Sequence, residues 1–105
     1  MHKPLFYSLL AILFCACLAT NQIEKQAKLF REYRTYESLA KVVELLPADA
    51  DTNLVRKLLG DPINFGFDYR YLIDSLGPNG CSIGAVFHIG EAGIIDQKWI
   101  DEICE

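Results

Sequence analysis

Cys81 and Cys104 stand at equal distances from Glu91-Ala92-Gly93-Ile94, a segment that reads as the tip of a hairpin. If the chain reverses there, the two cysteines face each other across neighbouring antiparallel strands. A bridge between them closes a loop of about two dozen residues, worth ~3 kcal/mol in the chain-entropy model. That one pairing sets the direction and register of the C-terminal third, so it constrains the fold more than any other feature. It requires an oxidising compartment, because cytosolic thiols stay reduced. A metal or free-thiol role fits less well, since no His or Cys-x-x-Cys neighbour accompanies either residue.

The N-terminal residues bear on the compartment. His2 and Lys3 precede an uncharged, mostly apolar run from Pro4 to Leu18, which turns to small residues at Cys15-Ala16-Cys17. This is the layout of a secretory signal peptide, and the run falls short of the ~20 apolar residues that span a bilayer. Phe14-Cys15-Ala16-Cys17 also resembles a bacterial lipobox, which makes Cys17 the expected lipidated residue and the membrane a partner through its lipid. An ordinary signal-peptidase cut after Ala19, giving a soluble periplasmic or secreted chain, and retention as an uncleaved anchor are the alternatives. Leu18 stands where Asp would favour inner-membrane retention, so the lipoprotein reading places the chain at the outer membrane, facing the periplasm. The expected organisation is a signal peptide over 1–16, a tether over 17–21 and a small α+β domain over 22–105.

Charge narrows the class of partner. Formal net charge is −4, and from Pro47 onward four basic residues (Arg56, Lys57, Arg70, Lys98) face ten acidic ones. An acidic C-terminal part argues against nucleic acid. Lys25, Lys28, Arg31 and Arg34 make a basic ridge near the N-terminus, read either as a solvated helix face or as a membrane-proximal one.

The periodicity then divides the chain. Asn21 with Glu24 forms a capping-box-like start. Leu29, Tyr33, Tyr36, Ala40 and Val43 follow at helical spacing, which predicts a long helix ending before Pro47, with a weak point at Arg34-Thr35-Tyr36. Asp51 or Thr52 caps a short helix, Asn53 to Leu59, stopped by Gly60-Asp61-Pro62. Beyond Asn64 the period becomes two: Phe67, Tyr69, Tyr71 and Ile73 alternate with Asp68, Arg70, Leu72 and Asp74, then, after Gly77-Pro78-Asn79-Gly80, Cys81, Ile83, Ala85, Phe87 and Ile89 alternate with Ser82, Gly84, Val86 and His88. Ile94 to Cys104 reads as a third strand, anchored by Trp99 and bulged where apolar residues fall on both faces. The expected fold is α+β, two helices packed on a three-stranded antiparallel meander, in the order ααβββ.

Several constellations imitate chemistry without completing it. Asp49-Ala50-Asp51-Thr52-Asn53 opens like a calcium loop, but Leu54 replaces the turn glycine and Gly60 the closing glutamate. It also imitates the paired aspartates of haloacid-dehalogenase phosphatases, which need a much longer α/β chain. His88 lies on a strand with Ser82 six residues before it, too far for a nucleophile–base pair. Asp101 and Glu102 point to opposite faces of their strand. The expectation is a chain without catalytic residues, cofactor, metal or small-molecule substrate.

Asn53-Leu54-Val55-Arg56-Lys57-Leu58-Leu59-Gly60-Asp61-Pro62 resembles the helix–Leu-Gly-x-Pro signature of the BamE (SmpA/OmlA) outer-membrane lipoprotein family. Phe67-Asp68-Tyr69-Arg70-Tyr71 is similar to that family's first-strand aromatic cluster, and Gly84-Ala85-Val86-Phe87, Gly93-Ile94-Ile95 and Trp99 to its remaining hairpin. The resemblance covers Asp51 to Trp99. It implies a lipid-anchored envelope protein that binds another envelope protein, as an accessory of outer-membrane assembly. Phe67, Tyr69, Arg70 and Tyr71, with Phe65 in the same aromatic row, are the expected contact residues, being richer in Tyr and Arg than a core requires. The same architecture occurs in β-lactamase inhibitor proteins, so an inhibitor or immunity-type module for a periplasmic or secreted enzyme is the alternative function.

Overall fold

The computed structural model describes residues 21–105. The expectations for the signal peptide and for Cys17 lie outside the described residues. Helix α1 is seen over 21–33, α2 spans Tyr36–Leu45 and α3 spans Thr52–Leu59. The strands are β1 (Ile63–Asn64), β2 (Asp68–Leu76), β3 (Ser82–Ile89) and β4 (Ile95–Glu102), with a 3-10 turn at Glu91–Gly93. They form one antiparallel sheet in the order β1-β2-β3-β4. The α+β class agrees with expectation. The detail differs by one helix and one strand.

The long helix expected up to Pro47 is two helices. Arg34 adopts φ 52°, and Thr35 restarts the chain as an extended N-cap whose hydroxyl accepts from Ser38 N at 3.3 Å. This break resets the helical phase. The buried apolar positions are Ile23, Ala27 and Phe30 in α1, then Leu39, Val42 and Val43 in α2. The stripe expected through Tyr33 and Tyr36 is not the core face, since both are exposed. Helix α3 starts as anticipated, with Asp51 Oδ1 accepting from Leu54 N at 2.9 Å, a cap worth ~1 kcal/mol. It ends at Gly60, whose φ of 87° is open to glycine at no steric cost. Strand β1 is two residues long after Pro62, too short to show a period.

The hairpin register follows the cysteine argument. Ile83 pairs with Glu102, Ala85 with Ile100, and Phe87 with Lys98, so the ladder leads to Cys81 opposite Cys104. Their Cα atoms are 5.3 Å apart, with the sulfurs at bonding distance. Of the two segments expected to bulge or fray, Trp99-Ile100 is in regular register, and the bulge falls beside Ile94-Ile95, at Asp96 between the pairs His88–Gln97 and Ile89–Ile95. Glu102 anchors the preceding turn, where its carboxylate accepts from Asn79 N at 2.8 Å, Asn79 Nδ2 at 2.9 Å and Cys81 N at 2.9 Å. A Cβ at Gly77 would lie 2.4 Å from that carboxylate carbon, so a side chain there would push Glu102 off the turn.

One sheet face is covered by the helices. Tyr69, Tyr71, Ile73, Ala85 and Phe87 project into a core shared with Phe30, Leu39, Val42, Val55 and Leu58. Tyr71 sits between Phe30 and Phe87 in edge-to-face contacts at 6.3 and 5.8 Å, the geometry that aromatic quadrupoles favour.

Candidate functional site

Covering one face of a sheet leaves the other open, and alternation along the strands dictates what stands there. Opposite the helices, β2 presents Asp68, Arg70 and Leu72, while β3 presents Ser82, Gly84, Val86 and His88. Strand β4 adds Gln97, Trp99 and Asp101. The ladder aligns Ile63, Arg70, Val86 and Trp99 in one row across all four strands. Val86 is buried yet belongs to no part of the helix-side core. Its row neighbours Arg70 and Trp99 provide its cover.

Arg70 is the organising residue of this face. Its guanidinium lies 4.3 Å above the Phe65 ring, its Nε is 3.3 Å from the buried Asp68 carboxylate, and it also meets the Glu105 side chain. Beside it is a cleft of about 220 Å³ walled by Ile63, Phe65, Leu72 and Ile103, with Ser82 as a neutral polar lining. Phe65 gives the cleft one aromatic wall. Gly66, at φ 86°, bends the chain so that the Phe65 and Phe67 rings stand 6.2 Å apart. Phe67 is 58 % and Trp99 43 % exposed. Large exposed aromatics around one partly buried Arg are the composition of protein-contact surfaces.

The four residues expected to make contacts do not share one fate. Phe67 and Arg70 lie at or on the open side. Tyr69 and Tyr71 are 6 % and 3 % exposed and belong to the core, which corrects their expected role. Strand alternation turns Tyr69 and Tyr71 inward and Arg70 outward, while Phe67 precedes β2, next to the bend at Gly66, and stays exposed. The Tyr71 hydroxyl donates to Gly60 O at 2.8 Å, and burial pushes its ionisation well above the usual phenol value. Phe65 is on this face as expected, and Ile63 and Trp99 join it. The signal for Trp99 was its register opposite Val86, while Ile63 gave none because β1 is so short.

Other titratable groups are accounted for locally. The bulge at Asp96 brings its Oδ1 2.7 Å from His88 Nδ1, an exposed pair. Ser82 stands about 20 Å from His88 by strand rise, so neither serves the other as nucleophile or base. Lys98 reaches under the sheet to donate to Leu46 O at 2.9 Å, beyond the end of α2, and burial lowers its pKa. Cys81, Glu102 and Cys104 place ligand atoms within 4.8 Å of one another. The two sulfurs bond each other and the carboxylate holds the turn, so the grouping is a structural clamp. Among the described residues, no helix is long and apolar enough to cross a membrane.

No family model, curated protein or solved structure matches this chain. The open face is therefore the feature from which function is inferred.

Proposed function

We propose that this chain is a non-catalytic, exported protein that docks another envelope protein onto the open face of its sheet. The observation that carries the reading is the row Ile63, Arg70, Val86, Trp99, which no helix covers among the described residues, with Phe65 and Phe67 beside it. Half-exposed aromatics at that density cost solvation in a lone chain and are covered by a partner. The signal-like N-terminus and the lipobox-like Phe14-Cys15-Ala16-Cys17 support tethering at the outer membrane through Cys17. The resemblance of Asp51 to Trp99 to BamE proteins supports an accessory part in outer-membrane assembly.

Affinity purification of the full chain from detergent-solubilised envelopes tests this. Phe65→Ala with Phe67→Ala removes half-exposed rings and the stacking of Phe65 on Arg70, a contact worth about 1 kcal/mol, so melting should fall only slightly while the co-purifying protein is lost, at ~2 kcal/mol or more per anchor. Retention of the same protein by the double variant would refute the assigned face. Acylation of Cys17, read by mass spectrometry, tests the tether separately.

A further inference from the structure

The outer edge of the sheet is β4, and its backbone groups divide into used and unused. Ile103 N donates to Ser82 O at 2.8 Å. Alternation along an antiparallel ladder then turns the amides and carbonyls of Gln97, Trp99 and Asp101 toward β3. Those of Lys98, Ile100 and Glu102 face outward. The start of the strand is covered, because Ile95 N donates to Ala50 O at 2.9 Å and Asp51 bridges Ile94. Near its end, Glu102 N is taken by Asp101 Oδ1 at 2.7 Å. Among the described residues, Lys98 and Ile100 are left with open amides and carbonyls in the middle of the edge.

Charged side chains ordinarily blunt such an edge. Here three of them are engaged within the chain. Asp96 holds His88, Lys98 holds the Leu46 carbonyl, and Glu102 holds the turn at Asn79–Cys81. The strand contains no proline. The opposite edge, β1, is only two residues long.

We propose that a second copy of this chain pairs with β4 antiparallel, about a twofold axis through Trp99. In that register Lys98 of each copy stands opposite Ile100 of the other, and every open donor meets an open acceptor. Sliding by two residues sets Lys98 against Lys98, or sets it against Glu102 whose amide is spent. Sliding by one sets each open residue opposite one whose amide and carbonyl already serve β3. The open edge is thus self-complementary in one register, which favours a second copy over an unrelated strand. The two Trp99 side chains meet on the axis as a close, non-hydrogen-bonded pair. The open faces of both copies then lie side by side on one continuous sheet.

The full chain, dispersed in detergent, should dimerise in sedimentation velocity as its concentration is raised over about two orders of magnitude. The Lys98 and Ile100 amides should slow in hydrogen exchange by about tenfold or more on dimerisation, while the Trp99 amide is protected throughout. Ile100→Pro deletes an outward amide without touching the β3 ladder, and Trp99→Lys sets like charges on the axis. Either variant should be monomeric with the amide at position 99 still protected, and Trp99→Lys carries the test if Ile100→Pro does not fold. A chain that stays monomeric, or a dimer whose Lys98 and Ile100 amides exchange as in the monomer, overturns the proposal. So does protection of these amides only when an envelope extract is added, which would give the edge to another protein.

Discussion

Tyr71 shows how one hydroxyl can bind the two layers of the fold. Its ring is core, and its O–H reaches Gly60 O at the end of α3, so the phenol ties the central sheet to a helix terminus. Burial raises its folded-state pKa above the usual 10, whereas in the unfolded chain the phenol ionises near that value. The folded state therefore keeps a proton that the unfolded chain loses. Its contribution to stability is complete below pH 10 and falls as pH rises beyond it. Tyr71→Phe should cost about 1 kcal/mol near neutrality, through the unpaired Gly60 carbonyl. Urea unfolding at about pH 8 and about pH 11 should show that deficit shrinking at the higher pH. A deficit that stays constant would mean the phenol does not titrate differently in the two states. The residue scale also explains why Arg70 is a poor probe of docking. Removing it strands the buried Asp68 carboxylate, and a broken buried pair costs roughly 3–5 kcal/mol by itself.

At the scale of elements, the joint between α1 and α2 decides which helix faces meet the sheet. Thr35 starts α2 by accepting from Ser38 N, while Ser38 Oγ returns a bond to Thr35 O at 2.9 Å and is itself buried. Thr35→Ala should lose about 1 kcal/mol, lowering Tm by roughly 4–8 °C for a domain of this size. Thr35→Ser keeps the acceptor and should melt close to wild type. Equal losses in both variants, followed by circular dichroism, would show that packing of the threonine methyl matters and the cap does not. The sequence marks this joint by weak helix propensity around Arg34-Thr35-Tyr36, but propensity cannot say that the chain turns there. Placing Tyr33 and Tyr36 inward is the consequence of carrying one helical period across a left-handed residue. In the strands, period two survives every turn, and the same kind of reading sets Tyr69, Tyr71, Ala85 and Phe87 on one face correctly.

For the whole molecule, the Cys81–Cys104 bridge joins the start of β3 to the end of β4, 23 residues apart. It lies beside the Glu102 clamp and next to Glu105, which reaches Arg70 on the open face. Loss of the bridge in Cys81→Ala/Cys104→Ala should destabilise the fold by ~2–4 kcal/mol, measured by denaturant unfolding, because a closed loop of this length restricts the denatured chain. Thiol labelling of exported protein should find both cysteines blocked, and free thiols with unchanged stability would count against a structural bridge. The weakening should be felt most at the end of the sheet that carries the cleft, since Ile103 and Glu105 flank Cys104 there.

The amino-acid sequence by itself determined the kinds of element, most of their order, the cap and stop of α3, and the register of the β3–β4 hairpin. These depend on local chemistry: a proline that cannot continue a helix, a glycine that accepts positive φ, and an alternation that the pleat enforces. Only the tertiary structure decided which side of the sheet is dry. An alternating strand has two faces and offers both equally, so Tyr69 and Tyr71 could be core or contact until the helices arrived on their side. The pairing of Ile63 with Arg70, and of Arg70 with Val86, is likewise invisible along the chain. It joins residues from three strands that become neighbours only when the sheet is assembled.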